Sequence, residues 1–165
     1  DGERIGIGPW RFDVIEVPGH TCSHIAFHGE GLLFSGDTLF SLGCGRMFEG
    51  TPPQMLHSLR RLAGLPDATQ VCCGHEYTVA NAAFALAVDA GNTALQQRAA
   101  QARLARAAGR PTLPVALASE RDCNPFLRVD APTVRATMEQ RLQRPLVDDV
   151  DAFAELRRWK DGFNG

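Results

Sequence analysis

This chain changes character near residue 80, from strands with one helix to helices, and that change narrows the folds open to it. Before it, most apolar residues alternate. "FDVIEV" (12–17) and "SHIAFH" (23–28) carry the period of half-buried strands, and "LLFSG" (32–36) follows across a turn at Gly29 and Gly31. Residues 23–36 therefore read as a hairpin. "SLGCGRMFEG" (41–50) is glycine-rich and reads as an ordered loop. A helix starts after Thr51, with Thr51 as N-cap and Pro52 and Pro53 in the first turn. Met55, Leu56, Leu59 and Leu62 follow helical spacing. "TQVCCGH" (69–75) is a short buried strand ending in His75. Beyond residue 78 the pattern is helical: "TVANAAFALAV" (78–88), "NTALQQRAAQARLARAA" (92–108), "APTVRATMEQRL" (131–142) and "DVDAFAELRRWKDGF" (149–163). Between them, "PTLPVALASERDCNPFLRV" (111–129) reads as extended, with "NPFLRV" packing the helical part onto the rest. The order of elements predicts an α+β fold, with strands and one helix in residues 1–80 and a mostly helical part in residues 81–165.

The chain has 165 residues, is 44% hydrophobic and carries a net charge of −2. It can build a real core, and its charge leaves no footprint for nucleic acid or an acidic membrane surface. No run of 18 apolar residues exists to span a membrane. Five cysteines are an odd number without framework spacing. All five are read as reduced thiols of a cytoplasmic protein, with Cys22, Cys44 and Cys123 as small core residues. DGERIGIGPW carries no signal-peptide pattern.

His20, Asp37 and His75 each follow a strand and a glycine. Strand ends are where open sheets place their sites, and glycine lets backbone and ligand approach closely. Imidazole and carboxylate together suit Zn, Fe or Mn, and a carboxylate can bridge two metals. On the residues alone, solvated histidines and an ordinary Gly-Asp turn remain open alternatives.

"GHTCSH", "FSGDTLF" and "CGHEYT" stand in the order of the later motifs of the metallo-β-lactamase superfamily. "GDTLFSLGCGRMFEGT", "CGHEYTVANAAFA", "NPFLRV" and "RRWKDGF" resemble more narrowly one family within it, glyoxalase II, the hydroxyacylglutathione hydrolases. The resemblance covers essentially the whole chain. It implies the C-terminal part of an αβ/βα sandwich followed by a helical substrate-binding domain. It implies two divalent metal ions, zinc first with iron or manganese as alternatives. His20 resembles a ligand of the first, His75 a ligand of the second and Asp37 the bridging carboxylate, while His24 resembles a supporting histidine and His28 and His57 match nothing. The implied reaction is hydrolysis of S-D-lactoylglutathione to glutathione and D-lactate by a hydroxide held between the metals, a step in methylglyoxal detoxification. Arg46, Phe48, Tyr77, Arg157 and Lys160 resemble substrate-binding positions, with Arg46 where relatives often carry Lys and Phe48 where they often carry Tyr. Arg157 and Lys160 are three apart and share a helix face.

The family's T-H-x-H-x-D-H motif, with four further ligands, is absent. The chain thus resembles roughly the last two-thirds of such an enzyme and holds three of seven ligands. It is expected to bind zinc weakly, to turn over little substrate alone, and to leave an apolar strand face uncovered. The complete enzyme is expected to be a monomer acting on a small glutathione thioester. Rival expectations are a persulfide dioxygenase or another thioesterase of the same fold, or a non-catalytic fragment.

Overall fold

A computed structural model describes residues 1–163. Six strands form one mixed sheet in the order β1-β2-β3-β4-β7-β8. They are β1 (Arg4–Ile7), β2 (Trp10–Glu16), β3 (Ile25–Gly29), β4 (Leu32–Gly36), β7 (Gln70–Cys73) and β8 (Val115–Ala116). Neighbours run antiparallel except β4 and β7, which are parallel. That parallel pair needs a crossover, supplied by helix α1 (Pro52–Ala63). A two-residue pair, β5 (Leu39–Phe40) and β6 (Gly43–Cys44), forms a separate hairpin. Helices α2 (Thr78–Val88), α3 (Thr93–Ala107), α4 (Leu117–Cys123), α5 (Pro132–Leu142) and α6 (Asp149–Asp161) make up the rest, with a 3-10 turn at Pro125–Leu127.

Local chemistry explains the boundaries. At the start of α1 the Gln54 side-chain carbonyl accepts from both the N–H and the hydroxyl of Thr51. The Asn92 side chain accepts from Leu95 N–H at the head of α3, and Asp148 accepts from Asp151 N–H at the head of α6. Met55, Leu56, Leu59 and Leu62 all face inward and are buried, as their spacing predicts. Each such side chain contributes about 1.5–3 kcal/mol by leaving water. They meet Leu33 and Val71 of the sheet and Phe84, Phe126, Phe153 and Leu156 of the helical part in one continuous core. Strand β8, from the helical part, pairs with β7 and so extends the sheet of the first part.

The other sheet face is only partly covered. Register places Ile7 opposite Trp10, Val14 opposite Phe27, and Phe27 opposite Phe34 on the side away from the helices, where Phe12 and Val14 are buried among their neighbours. Ile7, Trp10, Ile25 and Phe34 are 59%, 57%, 40% and 41% exposed.

Three expectations need correction. Residues 111–129 are not extended throughout: they hold β8, α4 and the 3-10 turn. Helix α4 escapes pattern reading because Glu120 is a charged residue buried inside it. The glycine-rich loop contains strand β6, and a two-residue turn at Ser41-Leu42 closes the hairpin. Leu42 there has φ of +59°, a left-handed conformation costing a non-glycine residue roughly 1–2 kcal/mol. Its side chain is fully buried among Ala82, Ala85, Leu95 and Cys123, which offsets that cost. Cys44 and Cys123 are buried, but Cys22 is exposed rather than a core residue. All five cysteines are free thiols.

Candidate metal and substrate site

The parallel strands β4 and β7 end side by side, and the residues just past them form the site. Asp37 follows β4, and each of its carboxylate oxygens faces a different histidine. Oδ2 lies 3.5 Å from His20 Nε2, and Oδ1 lies 3.5 Å from His75 Nε2. Two ligands bonded at about 2.0–2.1 Å to one tetrahedral metal stand roughly 3.3 Å apart. Both spacings therefore fit a carboxylate shared between two metals, with one histidine on each side. His20 Nδ1 is 2.8 Å from the carbonyl oxygen of Arg46. As an N–H donor to that carbonyl, it leaves the Nε2 lone pair directed at Asp37.

Among the described residues, no three His, Cys, Asp or Glu side chains converge on one point. Each side of Asp37 thus offers two protein donors, short of the three or four that zinc usually takes. The donor set fits as half of a binuclear site.

His24 holds this half-site from behind. Its Nε2 accepts the backbone N–H of Asp37 at 3.0 Å, so it cannot also bind a metal through that nitrogen. Burial, followed by the neighbouring His20, pushes its pKa down and favours the neutral acceptor form. Close approach also demands glycine here. A Cβ on Gly45 would lie 1.9 Å from the Asp37 carbonyl oxygen, and one on Gly74 would lie 2.6 Å from Asp37 Oδ1. His28 lies in β3 and His57 is exposed on α1, both outside the site.

A cavity of about 600 Å³ opens over Asp37. All eight residues singled out from the sequence line it: His20, Asp37, Arg46, Phe48, His75, Tyr77, Arg157 and Lys160. Phe48 packs edge-on against His20 at 5.1 Å, and Tyr77 stacks on His75 at 5.1 Å. Phe48 and Tyr77 are exposed, so the two aromatic rings form the rim. The opposite wall is cationic. Arg157 is buried, and its guanidinium donates to the Cys44 carbonyl at 2.9 Å and to Asp161 at 3.0 Å. Arg46 also reaches Asp161, at 3.4 Å. Desolvation, then Arg157 and Arg46, pushes the Lys160 pKa down, so a charge is held there against its own preference. Cys44, deep in the wall, has its thiol pushed up to about 11 by burial and is no nucleophile.

Sequence reading missed Phe40, Asn81, Asp161 and Phe163, which also line the cavity. Asp161 was findable as the i+4 partner of Arg157. Phe40 and Asn81 reach the site through hairpin packing that no local pattern records. Glu76 supports the segment from outside: its carboxylate accepts from the Thr112 N–H and hydroxyl, which draws its pKa down.

Residues 1–75 match the family model of the metallo-beta-lactamase superfamily, the class that this mixed sheet and its strand-end His/Asp set define. ETHE1 from Myxococcus xanthus shares the fold, with a TM-score of 0.56 and 24% identity over 99% of this chain and 51% of that one. So does a metallo-beta-lactamase from Staphylococcus aureus, with a TM-score of 0.53 and 21% identity over 99% of this chain and 43% of that one. Residues 76–163 match the hydroxyacylglutathione hydrolase C-terminus. A hydroxyacylglutathione hydrolase of Xanthomonas euvesicatoria is 62% identical across 98% of this chain, and one of Xylella fastidiosa is 60% identical across 99%. The chain belongs to the hydroxyacylglutathione hydrolase family. It spans only 64% and 63% of the length of those two relatives.

Proposed function

We propose that this site serves the hydrolysis of a glutathione thioester, S-D-lactoylglutathione, to glutathione and D-lactate. The supporting observation is a single cavity that joins a carboxylate facing two histidines to a cationic wall. His20 with Asp37 Oδ2 would hold one divalent metal, and His75 with Asp37 Oδ1 the other, zinc first with iron or manganese as alternatives. When bound, such a pair supplies an activated water and positive charge for a carbonyl oxygen.

The chain's own residues do the rest. His24 and the Arg46 carbonyl fix the orientation of Asp37 and His20. Phe48 and Tyr77 wall the reacting end with apolar surface. Arg46 and Lys160 present cationic donors to the two carboxylates of glutathione, and Arg157 adds charge from behind while tying the wall to Cys44. A thiol leaving group with a pKa near 8.5 departs with little acid help, so the reaction makes small demand on a general acid. A carboxylate with one histidine per oxygen favours two metals over the single iron of a dioxygenase. The partly covered apolar face and the two-donor half-sites support a further layer that covers the sheet and completes the ligands. Among the described residues no helix is long and apolar enough to cross a membrane. Five free cysteines fit a reducing compartment such as the cytoplasm, and a small-molecule substrate needs no partner beyond a monomer.

The test is zinc-dependent release of glutathione from S-D-lactoylglutathione, by the 165-residue chain and by a version extended to the length of its relatives. The extended form should turn over and lose activity on Asp37→Asn, with little turnover by the shorter chain. An extended, zinc-loaded form that leaves the thioester intact would overturn the proposal.

A further inference from the structure

The β5–β6 hairpin carries Phe40 and Cys44 into the cavity wall and leads to Arg46, whose carbonyl orients His20. The hairpin has only two residues per strand and a turn with a left-handed leucine. The Ser35 hydroxyl donates to the Leu39 carbonyl at 2.7 Å, and Arg98 donates to the Ser41 hydroxyl at 3.2 Å. The turn itself is gripped by a buried carboxylate on α4, far along the chain. Glu120 is fully buried, and both its oxygens are used on the turn. Oε1 accepts from the Ser41 hydroxyl at 2.8 Å, and Oε2 from the Leu42 N–H at 2.7 Å. Asn124, one helical turn on, donates to Glu120 Oε2 at 3.1 Å and to the carbonyls of Phe40 and Gly43 at 3.1 and 3.0 Å. Asn81, itself in the cavity lining, donates to the Ser41 carbonyl at 3.0 Å. Every polar backbone group of the turn that these bonds reach is thus held by a side chain from the helical part.

We propose that Glu120 is a positioning residue for the substrate cavity: with Asn124 it clamps the Ser41–Leu42 turn and so sets where Phe40, Cys44 and Arg46 stand. A buried carboxylate is a costly way to tether a loop, and an apolar residue would pack the same space more cheaply. The gain is direction, because two carboxylate oxygens fix both a hydroxyl and a backbone N–H in the turn. Phe40 then contacts Tyr77 edge-on at 5.4 Å, and Tyr77 stacks on His75. The clamp therefore reaches His75 through Tyr77, and also directly, since Phe40 meets the His75 ring edge-on at 6.1 Å. Cys44 carries the effect to the other wall, since its carbonyl anchors Arg157.

The role in binding rests on the glutathione reading, but the clamp does not, and the experiment separates them. Tyr77 is the only tyrosine, so one selectively labelled ring gives a single assignable set of signals from the place where Phe40 and His75 meet it. In the 165-residue chain, Glu120→Leu should shift the Tyr77 ring signals towards those of a free tyrosine, leaving the labelled His57 ring unmoved. Glu120→Gln, which keeps one acceptor and the shape, should shift them less. Binding of S-methylglutathione, a thioether that cannot be hydrolysed, should weaken roughly tenfold in Glu120→Leu and recover in part in Glu120→Gln. A Glu120→Leu chain that does not fold leaves the Glu120→Gln ring shift to decide. Wild-type Tyr77 signals in a folded variant would overturn the clamp, whatever the melting temperature does. If the ring moves as stated but wild-type chain does not bind the thioether, the clamp stands and the glutathione reading loses its support.

Discussion

Gly74→Ala puts one methyl group where Asp37 has to stand. The added Cβ would lie 2.6 Å from Asp37 Oδ1 and 3.2 Å from the Gly36 carbonyl oxygen. A carbon and an oxygen in contact sit roughly 3.3 Å apart, so Oδ1 or the strand end must yield by about 0.7 Å. Backbone on both sides leaves the carboxylate as the softer partner. Oδ1 is also the atom 3.5 Å from His75 Nε2, and a shift of that size spoils the spacing for a shared metal. Overpacking of this kind costs about 1–3 kcal/mol. Replacing glycine at an ordinary φ returns about 0.4–1 kcal/mol through the unfolded chain. The net expectation is a loss of up to about 2.6 kcal/mol, or roughly 10 °C in Tm at most for a chain of this length. The larger effect falls on metal: a misplaced donor or support typically costs 10–100-fold in affinity. Thermal melts with and without zinc, and zinc competition against a chelating dye, measure both. A Gly74→Ala chain with unchanged zinc affinity would show that Oδ1 and His75 do not share a metal.

Other perturbations reach other parts of the account. Lys160→Ala in the extended enzyme should raise KM for the glutathione thioester far more than it lowers kcat, because a remote contact contributes uniform binding; an unchanged KM would remove Lys160 from the site. Phe126→Ala should cost about 3–5 kcal/mol in urea unfolding, since Phe126 is fully buried between Phe84 and Phe153 where both parts of the chain meet. A loss under about 1 kcal/mol would mean that Phe126 is not packed in that core. The Arg144 guanidinium, with the Val147 N–H, holds the Asp151 carboxyl down at about 2. A depressed carboxyl stabilises the fold above its unfolded pKa near 4, and that contribution disappears as pH falls through about 2. Asp151→Asn should therefore lower stability by about 1 kcal/mol or less at pH 7, the range of a partly exposed pair, and by nothing below pH 2. Urea titrations at both pH values check the sign, and an equal loss at both would point to packing instead of charge.

Much of the site is legible in the sequence because its chemistry sits next to strand ends. His20, Asp37 and His75 each follow a glycine that the fold needs for close approach, so the local signal and the site coincide. Helix α1 is legible for the same reason, since cap, prolines and apolar spacing agree. Strand β1 is harder to read because it has four residues with Gly6 among them, and β8 because only two residues pair. Helix α4 hides behind Pro111 and Pro114 and an inward-facing Glu120, whose reason lies in a turn 78 residues away. Phe40 and Asn81 belong to the cavity only after the hairpin has been docked by Glu120 and Asn124. The pairing of Arg157 with Cys44 is equally non-local, and it changes that arginine from a free donor to one already tied into the wall. What escapes a linear reading is thus mainly what long-range hydrogen bonds create.

The position of bound metal relative to Asp37 decides whether this carboxylate is shared between two ions. Crystals of the 165-residue chain grown in millimolar zinc, measured at the zinc absorption edge, give that position without any assay. Two anomalous peaks are expected, one on either side of the carboxylate. One should lie about 2.0–2.2 Å from His20 Nε2 and Asp37 Oδ2, the other at the same range from His75 Nε2 and Oδ1. A single zinc held by His20 and His75 together, or a zinc bonded to His24, would contradict that arrangement.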